Sequence, residues 1–194
     1  MSDFTIRTVR ISDAAALSNI YRYYVENTAV SYEYIAPDAD EFERRIAATI
    51  ERYPYIVAED ESGILGYAYA GPFNTRMAAS WSAEVSIYVS RFKRTKGIGR
   101  ALYARLEEIL QRQNFQTLVA KVACCEAHDQ YLSDDSIKFH LACGYEDAGT
   151  VKNCGYKFGH WYGLKMMEKY IGSHPSPAPE IIPFSKLDKN PEGM

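Results

Sequence analysis

The feature that most narrows what this chain can fold into is a strand that runs into a doubled glycine, which in turn opens an amphipathic helix. "AEVSIYVS" (83–90) reads as a strand, with Glu84 and Ser86 on one face and Val85 and Ile87 on the other. "KRTKGIGRAL" (93–102) follows, and Ile98, Leu102, Leu106, Ile109 and Leu110 then recur on one helical face. Glycines at a helix N-terminus let the backbone approach a ligand closely. The unpaired N–H groups and the positive end of the helix dipole favour an anion there. Lys93, Arg94, Lys96 and Arg100 surround the pair. The residues fit either a phosphate or pyrophosphate loop or a glycine turn with a solvated basic face. Two common phosphate loops are excluded on specifics. A Walker-type loop needs Lys-Ser/Thr after its last glycine, and Arg100-Ala101 stand there. A dinucleotide fingerprint needs a third glycine on the first strand of a parallel sheet, whereas here position 102 is leucine and the strand lies deep in the chain.

Periodicity supplies the rest of a mixed α/β domain. Thr5 to Val9 alternates as a strand, and Ser12 is positioned to cap a helix carrying Leu17, Ile20, Tyr21 and Tyr24. Pro37-Asp38 with Glu41 opens a second helix on which Phe42, Ile46 and Ile50 recur. "YIVAEDESGILGYAYAG" (55–71) reads as a hairpin turning at Glu61-Ser62-Gly63. "TLVAKVAC" (117–124) is a strand, and Ser136 to Cys143 a short helix ended by Gly144. The stretch from Tyr145 to Lys169 closes with one or two strands. The expected order is β-αα-β-β-β-α-β-α-β-β. Residues 1–172 form one domain, and 173–194, rich in proline and polar residues, read as a tail.

Composition removes several function classes. A net charge of −3 over 194 residues argues against a nucleic-acid binder working through bulk charge, so the basic cluster at 93–100 is local. No apolar run reaches membrane-spanning length, and "MSDFTIRTVR" lacks the apolar core of a signal peptide, so a cytoplasmic location is expected. Cys124, Cys125, Cys143 and Cys154 lack metal-ligand spacing, so no metal is expected and reduced thiols are the default.

What remains is a strand, then Arg-x-x-Gly-x-Gly, then an amphipathic helix. This resembles the acetyl-CoA loop of the GNAT acyltransferase superfamily. "RYPYIVAE" (52–59), "YAYAGPF" (67–73), "EVSIYVS" (84–90), "KFHLACGY" (138–145) and "GYKFGHW" (155–161) extend the likeness to the phosphinothricin and methionine sulfoximine acetyltransferase branch, over about residues 4 to 170. The resemblance implies a mostly antiparallel mixed sheet of about seven strands with flanking helices. It implies acetyl-CoA as cosubstrate, a small amino-acid-like amine as acceptor, and a homodimer. The loop from Arg94, Thr95 and Lys96 through Gly97, Ile98 and Gly99 to Arg100 would hold the pyrophosphate, since a β-carbon at either glycine would push it from the amides. Ile87, Tyr88 and Val89 would carry the pantetheine arm by backbone pairing.

An ammonium nucleophile needs a base, and Glu84 stands in an otherwise apolar strand, where burial raises a carboxyl pKa toward useful values. Its competing reading is a carboxylate paired to an arginine. His140 stands where the branch places a group near the CoA sulfur, with Tyr145 as an alternative acid. On the acceptor side, Tyr32 and Glu33 match a covering loop, and Arg76 keeps one of two basic positions. The other is Asn74, and a branch tyrosine is replaced by Ala79. "CCEAHDQYLSDD" (124–135) is longer than the usual connection. Ser133 replaces a CoA-contacting asparagine before Ser136, and Asp134 and Asp135 are placed to cap the short helix. Besides the enzyme, two readings stay open: a non-catalytic acyl-CoA-binding module, and an acetyltransferase of protein or peptide amines.

Overall fold

The computed structural model describes residues 4–92, 97–126 and 129–187. Its elements are β1 (Thr5–Thr8), α1 (Ala14–Asn27), α2 (Ala39–Ile50), β2 (Tyr55–Asp60), β3 (Gly63–Pro72), β4 (Ser82–Val89), α3 (Ile98–Arg112), β5 (Thr117–Cys124), α4 (Asp135–Ala142), β6 (Glu146–Lys157) and β7 (His160–Tyr170). Among the described residues the strands form one mixed sheet of seven in the order β1-β2-β3-β4-β5-β7-β6. Every neighbouring pair is antiparallel except β4 and β5.

Strand alternation sorts the side chains onto two faces. On one, Leu102, Leu106 and Leu110 of α3 pack against Ile56, Ala68, Val85 and Leu118. On the other, Leu17, Tyr21, Phe42 and Ile46 of α1 and α2 cover Tyr55, Val57 and Tyr67. The helix starts divide. Asp38 caps α2 as expected, accepting the Glu41 N–H at 2.8 Å. Ser12 does not cap α1. A single 3-10 turn, Ile11–Asp13, precedes it, and Asp13 stands at the N-cap of α1 without a side-chain bond to the helix, its carboxylate closing the 3-10 turn instead. Its carboxylate accepts the Arg10 N–H at 2.7 Å and both terminal nitrogens of Arg7 at 2.7 and 3.0 Å. Charge-assisted bonds to a carboxylate outcompete an exposed serine hydroxyl.

The sheet parts in the middle. β4 and β5 pair only from Ser82–Glu84 to Thr117–Val119. Beyond that point β4 stays with β3 as far as Val89, and β5 with β7 as far as Cys124.

The Pro-rich stretch after residue 172 lies against the domain through residue 187. The Trp81 indole N–H donates to the Pro179 carbonyl at 2.7 Å, and the Gln113 amide donates to Ile182 at 2.7 Å. Phe184, 7% exposed, joins the core on the α3 side. Truncating a buried aromatic ring leaves a cavity. Phe184→Ala is therefore expected to lower stability by about 3 kcal/mol, read as a shifted urea midpoint. An unchanged midpoint would show that the segment rests on the domain without supporting it.

Candidate active site

Where β4 leaves β5, its edge faces a groove of about 560 Å³ bounded by the α3 N-terminus and by α4. Gly97 ends the approach to α3 with φ +90°, and a Cβ there would meet nothing within 4 Å. The backbone, not crowding, requires glycine at 97. Ala101 N–H makes the first helical bond, to Gly97 O at 3.0 Å, so the amides of Ile98, Gly99 and Arg100 have no intrahelical acceptor. At Gly99 a Cβ would sit 3.0 Å from the Phe139 ring, so this glycine also lets α4 pack closely onto α3.

The groove brings together Ile87, Val89, Gly97, Gly99, Arg100, Ser133 and Ser136. Ile98 is buried beneath it, and the Tyr88 ring lies on the opposite face against Tyr67. Arg94, Thr95 and Lys96 lie outside the described residues. The Tyr24 hydroxyl, which the sequence did not single out, donates to Val89 O at 2.6 Å and steadies the free end of β4. An unpaired strand edge leading to unpaired helix amides fits a ligand with an amide-bearing arm and a phosphate, as acetyl-CoA has.

The long connection before α4 forms a wall of this groove through Tyr131 and Ser133. Tyr131 stacks on Phe158 at 4.2 Å, and its carbonyl accepts the Ala29 N–H at 2.9 Å. Neither Asp134 nor Asp135 caps α4 as expected; Asp134 stands at the N-cap without a side-chain bond and pairs with Lys138. Ser133 donates to Asp135 at 2.9 Å.

Glu84 stands at the last β4–β5 pair. Its surroundings differ from the apolar setting expected: the side chain is 29% exposed, and the Lys121 ammonium lies 2.6 Å from Oε2. The partner is a lysine rather than an arginine, and it comes from "TLVAKVAC". A charge in an apolar strand was the same signal that singled out Glu84.

Below the gap lies a void of about 50 Å³ touching Ser86, Ile87, Lys121, Tyr103 and His140. His140 is 4% exposed. Its Nδ1–H donates to Ser136 O at 2.7 Å, a carbonyl that can only accept, so Nε2 accepts from the Tyr103 hydroxyl at 2.9 Å. Burial pushes the His140 pKa below its ordinary value, against the opposing pull of that carbonyl. Tyr145 stacks edge-on to His140, and its hydroxyl is buried beside Glu107, away from the groove.

The acceptor-side residues separate. The Tyr32 hydroxyl donates to Gly163 O at 2.7 Å, and its ring fills the space a side chain at Gly155 would need. Glu33 accepts from Arg45 at 2.9 Å and from the Tyr21 hydroxyl at 3.2 Å. Asn74 and Arg76 sit on an exposed loop, where the Asn74 side-chain oxygen accepts the Arg76 N–H at 2.9 Å.

Comparison with known proteins bears on the whole arrangement. A family model described as an acetyltransferase (GNAT) domain matches residues 6–167. The phosphinothricin N-acetyltransferase of Streptomyces viridochromogenes is 30% identical over 182 residues, spanning 94% of this chain and 95% of that protein. An L-methionine sulfoximine/L-methionine sulfone acetyltransferase of Salmonella typhimurium is 29% identical, over 89% of this chain and 98% of that one. The crystal structure of a GNAT superfamily phosphinothricin acetyltransferase from Sinorhizobium meliloti, in complex with acetyl-CoA, superposes with a TM-score of 0.81. It is 32% identical and covers 96% of this chain and 100% of that one.

The buried His140 makes stability depend on pH. Its folded-state pKa is depressed, so the unfolded chain takes up the proton first as pH falls. The contribution is intact above about pH 6.5 and is lost below it. The melting temperature is expected to fall between pH 7 and pH 5, with a smaller fall in His140→Asn. Equal falls would assign the dependence to other groups.

Proposed function

The chain belongs to the GNAT acetyltransferase family and is an acetyl-CoA-dependent N-acetyltransferase; on that premise we propose that it acetylates the primary amine of a small amino-acid-like substrate by direct attack, with Glu84 as general base. The observation that carries this reading is the place of Glu84, at the apex of the gap between β4 and β5. An amine held there stands beside a carboxylate whose Oε2 is engaged by Lys121.

Acetyl-CoA supplies an activated acetyl thioester. The amides of Ile98, Gly99 and Arg100 hold its pyrophosphate, and the free edge of β4 at Ile87 and Val89 orients its arm. Glu84 removes a proton from the substrate ammonium; the freed amine would form the C–N bond at the thioester carbonyl as the C–S bond breaks, and CoA would leave as its thiolate and take up a proton. His140 acts on the sulfur side as a positioning residue: it holds the Tyr103 hydroxyl at the small void beneath the gap. Tyr32 and Glu33 close the acceptor side, and Arg76 on the adjoining loop binds the substrate carboxylate, with the Asn74 side-chain amide beside it.

The protein works as a cytoplasmic homodimer. Among the described residues no helix is long and apolar enough to cross a membrane. An apolar patch supports self-association: Tyr34 donates to the Tyr156 carbonyl, Tyr156 packs on Trp161 at 5.1 Å, and all three rings are about half exposed or more. Sedimentation velocity checks the patch, with Trp161→Glu expected to shift the protein toward monomer. An unchanged dimer would move the interface elsewhere.

Two further outcomes test the site. Glu84→Gln is expected to lower kcat by about 10²-fold or more, a typical general-base contribution. A folded variant that keeps the wild-type kcat would take Glu84 out of the role. Gly97→Ala must hold a side chain at positive φ, which costs roughly 1–2 kcal/mol. We expect weaker acetyl-CoA binding by calorimetry with the fold retained. Unchanged affinity would separate this turn from the cosubstrate.

A further inference from the structure

Between α2 and the sheet lies a cavity of about 250 Å³. Tyr55, Tyr67, Tyr69 and Tyr88 line it from the strands, and Ala48 and Arg45 from the helix. The rings form one continuous array. Tyr55 stacks on Tyr69 at 4.9 Å, and Tyr67 meets Tyr88 at 5.4 Å. An apolar cavity of roughly 150 Å³ takes up benzene, so this one has room for a substituted ring.

Its position ties it to the chemistry. Tyr69 pairs with Ser86 across β3 and β4, and Glu84 is the diagonal neighbour on the same face, about 7–8 Å away. The Ala48 end of the cavity is exposed, and it lies where α2 turns into β2, the end at which Glu84 stands.

Its charge excludes several occupants. Arg45 is the cation that lines it among the described residues, and it is already bound by Glu33 at 2.9 Å and by Glu41 at 2.8 Å. That group of three sums to −1. Burial pushes the phenols of Tyr55, Tyr67 and Tyr88 well above their ordinary range, so the walls are neutral. A side chain bearing an oxyanion would find no free counter-charge, and a buried unpaired charge is costly. A cationic side chain would meet the Arg45 guanidinium first, because Arg45 lines the cavity and its two carboxylate partners do not.

Resting on the acceptor reading above, we propose that this tyrosine-lined cavity is the side-chain subsite of the acceptor amine, taking an uncharged aromatic or bulky apolar group. Arg45, fixed by Glu33 and Glu41, sets the selection at its mouth. The aromatic rings offer edge and face contacts to a ring or a thioether.

Steady-state kinetics with L-phenylalanine, L-methionine, L-alanine, L-lysine, L-glutamate and phosphinothricin tests the assignment. We expect kcat/KM for phenylalanine to exceed that for alanine and for the charged acceptors by about tenfold or more. Ala48→Trp, at an exposed helix position, should close the mouth and bring the phenylalanine-to-alanine ratio back toward one. A ratio at or below one in the wild type, or one untouched by Ala48→Trp, would overturn the subsite. Absence of turnover with every amine would count against the acetyl-transfer reading instead. Calorimetry with N-acetyl-L-phenylalanine and N-acetyl-L-glutamate then decides the subsite alone: tighter binding of the phenyl compound supports it, and equal binding overturns it.

Discussion

Everything in this site depends on a parallel strand pair that stops after three residues. β4 and β5 are bound from Ser82–Glu84 to Thr117–Val119 and then diverge, because each is held more firmly elsewhere. β5 runs its full length against β7, and β4 runs as far as Val89 against β3. Backbone polar groups left along such a gap need partners. Tyr24 supplies one at Val89, and the rest of the edge is open to a ligand that carries its own amides. The same divergence puts Glu84 and Lys121 across a widening space, where a carboxylate can be both held and reached.

The wall opposite that gap is anchored from a distance. Lys157, 3% exposed, donates to the carbonyls of Val25, Thr28 and Ser31 at 2.7, 3.0 and 2.7 Å. It thereby satisfies the end of α1 and fastens the loop that carries Tyr32 and Glu33 to the β6–β7 hairpin. Burial lowers the lysine pKa, yet three carbonyl acceptors match its three donors. The Tyr32 hydroxyl adds a second tie, to Gly163 of β7. The loop at 28–33 and the hairpin are therefore one unit, joined by buried polar bonds rather than by apolar packing alone.

Much of this was legible in the sequence, because periods of two and 3.6 residues report which face is buried. The strands at 55–60, 63–72, 82–89 and 117–124 and the stripe on α3 follow from that alone. Other features turn on long-range partners, which no local pattern carries. Ser12 leaves α1 uncapped, and the Asp13 carboxylate beside it is taken up by Arg7 of β1 and the Arg10 N–H. Gly99 is set by the Phe139 ring of a distant helix. The segment after residue 172 looks like a polar tail, yet Phe184 is held in the core. The tyrosines at 55, 67, 69 and 88 each suit a strand, and nothing in their spacing separates a cavity wall from a packed core.

On the proposed reading, chemistry and selection fall on different elements. Glu84, Lys121 and the β4 edge sit on the most constrained part of the sheet, where moving one residue would change the register of several strands. Arg45, Glu33 and Glu41 sit on a helix and a loop, with side chains between 32% and 39% exposed. Ion pairs that open to solvent contribute little, so their removal would cost the fold little. What they fix is the direction of one guanidinium at the mouth of an aromatic cavity. On that reading, acceptor preference can shift by substitutions on α2 while Glu84 and the β4 edge stay as they are.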